Sequence, residues 1–156
     1  MININGDLIS PNSKIFKFNN RGYLYGDTVF ETLKVVTGNI LFWEDHYFRL
    51  MASMRIMRID IPNHFTMEFL ENQIHKTLEA NGLKNEVARV RLNVDRGEGG
   101  LYLPLKNTTV NFSINTKLLS EKEYSITDTD NYVVDLYKDF YLAPGLLSGL
   151  KTNNKN

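Results

Sequence analysis

Apolar and polar positions alternate with a period of two in several stretches of the chain, and twice the period lengthens to that of a helix. The stretch "ININGDLI" is two short alternating arms around Asn5-Gly6, a dipeptide that favours a two-residue hairpin turn. "TVFETLKVVTGNILFW" gives a second strand pair, turning around Gly38-Asn39. In "EDHYFRLMASMRIMRI" the spacing changes: Tyr47, Leu50, Met51, Met54 and Met57 fall on one helical stripe, with acids at its start and arginine at its end, as the helix dipole favours. "TMEFLENQIHKTLEANG" predicts a second helix through Met67, Leu70, Ile74 and Leu78, with Gly82 as terminator. Alternation returns in "EVARVRLNVDRG", with Ala88, Val90, Leu92 and Val94 on one face, and in "TTVNFSINT" through Val110, Phe112 and Ile114. Residues 1–116 therefore read as an α+β domain, an antiparallel sheet with two helices. The polar stretch "KLLSEKEYSITDTDN" predicts a linker over 117–130. "YVVDLYK" predicts the first strand of a second domain, 131–156, too short to bury a core alone.

Composition narrows the classes of function. Apolar residues make up 42% of the 156, enough for a core without staples. Lysine plus arginine equals aspartate plus glutamate, 18 of each, which argues against a nucleic-acid binder working by bulk charge. There is no cysteine, so no disulfide, thiolate metal site or thiol nucleophile. No run is long and apolar enough for a membrane span, and "MININGDLIS" carries no signal-peptide pattern. The expectation is a cytoplasmic protein without nucleic-acid or membrane partners.

A few residues sit where a plain core would not place them. Period-two geometry puts Glu31 on the face of Val29, Leu33 and Val35, so this carboxylate needs a cation or several donors, or its pKa must rise. Arg89 and Arg91 lie on the polar face of their strand; they could make a structural ion pair with Glu31 or line a pocket. Arg49 lies mid-helix, three residues after His46; it is either a solvated side chain or an anion receptor, since guanidinium grips phosphate bidentately. His46 reads as a hydrogen-bonding residue, because His64 and His75 make no ligand spacing with it. "RGEGG" lacks the strand-turn-helix setting of a dinucleotide loop and reads as a flexible pocket edge. Lys151, after "LLSGL", is either an exposed tail lysine or, if desolvated, an amine nucleophile toward carbonyls.

The ordered set "YGDTVFET", hairpin, "EDHYFRL", "VRLNVDRGEGG" and "SGLKTNNKN" resembles the class IV, or fold type IV, pyridoxal-phosphate enzymes, which include branched-chain and D-amino-acid aminotransferases and aminodeoxychorismate lyase. The resemblance implies the N-terminal domain of that fold, with pyridoxal 5'-phosphate as cofactor and an amino acid and a 2-oxo acid as substrates. It places Lys151 where the family's lysine carries the cofactor and then shuttles the proton, and Arg49 where an arginine holds the cofactor phosphate. Tyr25, Phe30, Glu31 and Arg91 match positions of the substrate pocket. Tyr102 matches loosely a residue that reaches the neighbouring subunit's pocket of a homodimer.

Two departures stand out. Leu101 occupies the place where D-amino-acid enzymes and some lyases carry a carboxylate-binding arginine. The chain also stops just after the lysine, which implies a first domain cut from a longer enzyme. The expected activity is transamination of the branched-chain type. Its alternatives are elimination of the aminodeoxychorismate-lyase type and a non-catalytic assembly domain.

Overall fold

The computed structural model describes residues 1–14, 17–106, 108–120, 133–139, 141 and 144–154. Strands β1 (Ile2–Ile4), β2 (Asp7–Ile9), β3 (Thr28–Val36), β4 (Asn39–Ile40), β5 (Val87–Asp95) and β6 (Asn111–Leu118) form one antiparallel sheet, ordered β2-β1-β6-β5-β3-β4. With them run helices α1 (Arg21–Tyr25), α2 (Trp43–Ile56) and α3 (Met67–Ala80). The α+β class expected from the pattern is the class observed.

Alternation along the strands decides which face is the core. Val29, Leu33 and Val35 of β3 and Ala88, Val90, Leu92 and Val94 of β5 are all buried on one side. Helix α2 lies on β3, and α3 lies on β6 and β1. Their stripes, Leu50, Met51 and Met54, then Leu70, Ile74 and Leu78, fill the same cluster. Each such side chain contributes about 1.5–3 kcal/mol by leaving water. The opposite face carries Thr32, Arg89, Arg91, Asn93, Ser113 and Asn115, as the register requires.

Turn and cap chemistry fixes where elements begin and end. Asn5 and Gly6 both take positive φ, 54° and 99°, which suits the twist of a tight hairpin. The next hairpin turns at Thr37-Gly38, and Asn39 pairs with Val36. The turn thus lies one residue earlier than the sequence reading placed it, because glycine takes the second left-handed position, φ 82°. Thr66 caps α3 by accepting the Phe69 amide. Helix α2 has no side-chain cap, and Glu44 and Asp45 in its first turn offset the dipole instead.

Three further features depart from the sequence reading. Helix α1 is new: Asn20 caps it and Gly26 closes it in the left-handed region, within five residues, too few for a period to show. Strand β6 runs through Leu118, into the stretch read as linker, because Leu119 still donates to the Val87 carbonyl. The rest of that linker, 121–130, falls outside the described residues. Val133–Lys138, the described part of the stretch read as a strand, forms none; a strand needs a ladder partner, and no described strand pairs with it. No helix among the described residues is long and apolar enough to cross a membrane.

Gly22 lets α1 lie against the sheet. A Cβ there would stand 2.3 Å from Thr28 Oγ1 and 3.0 Å from Asp95 Cβ. Gly22→Ala is expected to destabilise the fold by about 1–3 kcal/mol, as overpacked sites do. A urea unfolding midpoint equal to that of the parent would show that α1 yields without cost.

Candidate active site

The end of the chain returns to the sheet. Strand β4 pairs only with Val35 and Val36, so the first half of β3 has an open edge. The segment Lys151–Asn153 docks there antiparallel. Phe30 donates its amide to the Lys151 carbonyl at 2.9 Å, Asn153 donates to the Thr28 carbonyl at 3.2 Å, and Val29 bridges Thr152. Leu150 and Thr152 are buried by the docking, and Thr152 Oγ1 donates to the Asn154 carbonyl. This strap explains how residues so far apart in sequence meet.

Glu31 is the centre of the first cluster. It is only 1% exposed, as its place on the core face requires. Arg49 donates to it twice, Nε at 2.7 Å and Nη2 at 2.5 Å. His46 Nδ1 lies 2.7 Å from Oε2, and since a carboxylate only accepts, Nδ1 carries the hydrogen. Lys151 Nζ makes an ion pair with the same oxygen at 3.6 Å. Helix α2 sets His46 and Arg49 three residues apart, on one face above β3. Burial pushes the Glu31 carboxyl up, but hydrogen bonds from Arg49 and His46, with the charges of Arg49 and Lys151, outweigh it and hold the group below the ordinary carboxylate range. The same bonds with Glu31 raise Arg49.

Arg91 belongs to the other face. The register sets it opposite Thr32, while Glu31 is opposite Leu92, so no ion pair between Glu31 and Arg91 or Arg89 forms. That pairing, left open by the sequence, is excluded because a strand sends successive side chains to opposite faces. Arg91 instead stacks over the Phe30 ring at 3.8 Å, and donates Nε to Asn93 Oδ1 and Nη2 to Asn153 Oδ1. Burial lowers its pKa, and repulsion from Arg89 adds to this. Beside it opens a cavity of about 450 Å³ walled by Asn20, Tyr23, Thr28, Asn93, Ser113 and Asn153 among others.

A network that the sequence reading missed joins this cavity to the glycine loop. Arg21 is buried, donates Nε to Asp27 Oδ2 at 2.8 Å, and donates Nη1 to the carbonyls of Gly99 and Leu101. Its guanidinium lies 4.6 Å from the centre of the Tyr25 ring. Arg96 Nε shares Asp27 Oδ2 and bonds the Met57 and Arg58 carbonyls at the end of α2. Asp95 accepts from Asn20, Asn111 and the Gly97 amide. Adjacent charges in "NRGYLYGD" and "VDRGEGG" were the available signal; their partners come from distant segments. Tyr25 thus lies at the edge of the site, whereas Tyr102 is 93% exposed in its loop.

A depressed carboxylate stabilises the fold above its ordinary pKa, about 4, and that contribution is lost as pH falls through the lower folded value. Glu31→Gln is therefore expected to cost about 2–3 kcal/mol at pH 7, with Arg49 half-exposed and able to rehydrate. The gap between parent and variant should narrow below pH 4, read from urea midpoints. A gap independent of pH would show that Glu31 is not charged in the native state.

The Amino-transferase class IV model matches residues 28–156. A Methanocaldococcus jannaschii protein assigned as a branched-chain-amino-acid aminotransferase is 34% identical over 102 residues, which are 65% of this chain and 34% of that protein. The aminodeoxychorismate lyase of Bacillus subtilis is 31% identical over 99 residues, 62% of this chain and 32% of the lyase. The chain spans about a third of the length of these curated relatives. Among solved structures, the branched-chain aminotransferase of the thermophilic archaeon Thermoproteus uzoniensis superposes with a TM-score of 0.66 at 22% identity, covering 77% of this chain and 41% of its own. With strands β3 to β6, the strap and the lysine inside the matched region, the chain belongs to the class IV aminotransferase family.

Proposed function

We propose that this chain supplies one wall and the reactive lysine of a pyridoxal 5'-phosphate enzyme that transfers an amino group from an amino acid to a 2-oxo acid. The observation that carries the reading is the meeting of Lys151 Nζ and the Arg49 guanidinium on one oxygen of Glu31, at 3.6 and 2.5 Å. An amine and a guanidinium that close together suit a ligand bearing an aldehyde and a phosphate on neighbouring positions. Arg49 Nη1 takes no part in the bonds to Glu31, and nearly half the side chain is exposed, so it keeps donors for a phosphate. The donor set therefore fits the cofactor at these two ends.

When bound, the cofactor supplies an aldehyde and a ring that takes up the electron pair released at the substrate α-carbon. The work of the chain's own residues is distinct. Lys151 Nζ would hold the group at its aldehyde end, and as a free amine it would be the base that moves the substrate α-proton. Glu31 keeps Arg49 in place through two bonds and gives Lys151 a counter-charge. Arg49 would hold the phosphate end through the donors that Glu31 leaves unused. Tyr25 and Phe30 border the substrate's side, and Arg91 faces its carboxylate.

Similarity to the Methanocaldococcus jannaschii protein supports the branched-chain type. The comparable identity to the Bacillus subtilis lyase supports a second reading, elimination from the same cofactor adduct. Exposed Leu101, Tyr102, Leu103 and Leu105 support a homodimer closed over this loop. A cytoplasmic setting is part of the same reading.

Borohydride reduction in the presence of pyridoxal 5'-phosphate, followed by peptide mapping, is expected to place the adduct on Lys151. Arg49→Ala should weaken cofactor affinity at least tenfold, as loss of a charge-assisted bond does. Labelling spread over surface lysines, or unaffected by Arg49→Ala, would sink the reading. On the protein that contains this chain, pyruvate release without an amino acceptor would select elimination over transfer.

A further inference from the structure

Arg91 is a cation whose neighbours hold it without neutralising it. Its bonds go to two neutral amide oxygens, Asn93 Oδ1 at 2.8 Å and Asn153 Oδ1 at 2.9 Å. The Phe30 ring lies 3.8 Å from the guanidinium carbon. The carboxylate in the same cavity wall, Asp95, is already engaged by Asn20, Asn111 and the Gly97 amide. Burial and the repulsion of Arg89 both work against the charge on Arg91, and an incoming anion would relieve both.

We infer that Asn153 is a positioning residue: its Oδ1 holds the Arg91 guanidinium over Phe30 in the orientation that receives a substrate carboxylate from the adjoining cavity. This rests on the reading of Arg91 as the residue that faces the substrate carboxylate. The choice of an amide is the point. Aspartate at 153 would make the same contact but occupy the cation; asparagine fixes the fork and leaves its charge available. Among the described residues that line the cavity Arg91 is the cation, and Asp95 is turned to its own donors, so Arg91 is the group that a carboxylate entering there would meet. Asn153 follows Lys151 by two residues in an extended strap, a Cα separation of roughly 7 Å. Its amide is bonded to Thr28 while the Lys151 carbonyl is bonded to Phe30. One docking event thus places the amine and orients the anion receptor.

The test follows the Arg91 Nε–Hε resonance in the ¹⁵N-labelled full chain, assigned with Arg91→Lys, during titration with 2-oxoglutarate and with its neutral dimethyl ester. A shift with the anion and none with the ester is expected. Asn153→Asp should keep the strap docked, shown by parent-like protection of the Phe30 amide from exchange, yet bind the anion at least tenfold more weakly. Asn153→Ala should bind it about three- to tenfold more weakly; if its Phe30 protection is lost, the strap has undocked and Asn153→Asp alone decides. A residue serving structure alone would tolerate aspartate without loss of binding. Parent-like binding in Asn153→Asp, or a parent that does not distinguish the anion from the ester, overturns the inference. Borohydride labelling of Lys151 is scored separately. Anion binding without a Lys151 adduct leaves Asn153 in its role and removes the cofactor reading, and an adduct without anion binding does the reverse.

Discussion

A carboxylate on the core face of a sheet is tolerated only where donors come to it, and Glu31 dictates the arrangement of everything near it. It lies among Val29, Leu33 and Val35, in the part of the sheet that should be driest. Helix α2 answers with His46 and Arg49, and the strap answers with Lys151. None of these side chains would hold its present position beside an apolar residue at 31. The buried charge is thus an organising centre: it costs desolvation, and in return it gathers an amine and a guanidinium at one oxygen.

The sheet then divides the labour between its faces. Because successive residues of β3 point opposite ways, Phe30 and Glu31 serve different neighbourhoods through adjacent positions. On one side lie Glu31, His46 and Arg49, with the Lys151 amine reaching them, where the proposed cofactor would be held. On the other lie Arg91, Asn93, Ser113 and the cavity. The strap on the edge of β3 reaches both, so the edge is where the two chemistries join. The network of Arg21, Asp27 and Arg96 is the outer frame, tying α1, the glycine loop and the end of α2 together.

Much of this is legible in the sequence. Periodicity alone located both helices, the long strands and the anomaly of Glu31, since a period of two assigns each residue a face without knowledge of partners. Partners were what it could not assign. Arg89 and Arg91 were plausible counter-ions for Glu31 until the register placed them across the sheet. Helix α1 is shorter than two turns and so leaves no stripe; only Asn20 and Gly26, a cap at each end, mark it. The docking of Lys151 onto β3 depends on β4 being two residues long, a matter of ladder length that no local pattern encodes. For the same reason, the described part of "YVVDLYK", Val133–Lys138, reads as a strand in sequence and yet forms none, because a ladder belongs to two segments.

The shortness of β4 has a consequence for how such a site can diversify. The strap is located by bonds from its own main chain to Thr28 and Phe30, and main-chain bonds are indifferent to side-chain identity. Buried Leu150 and Thr152 are constrained by packing, but Asn153, whose side chain faces the cavity, can vary while the Lys151 amine stays at a fixed address. A fold built this way can change what its cavity receives by rewriting one position of the strap, with the amine two residues earlier held where it is.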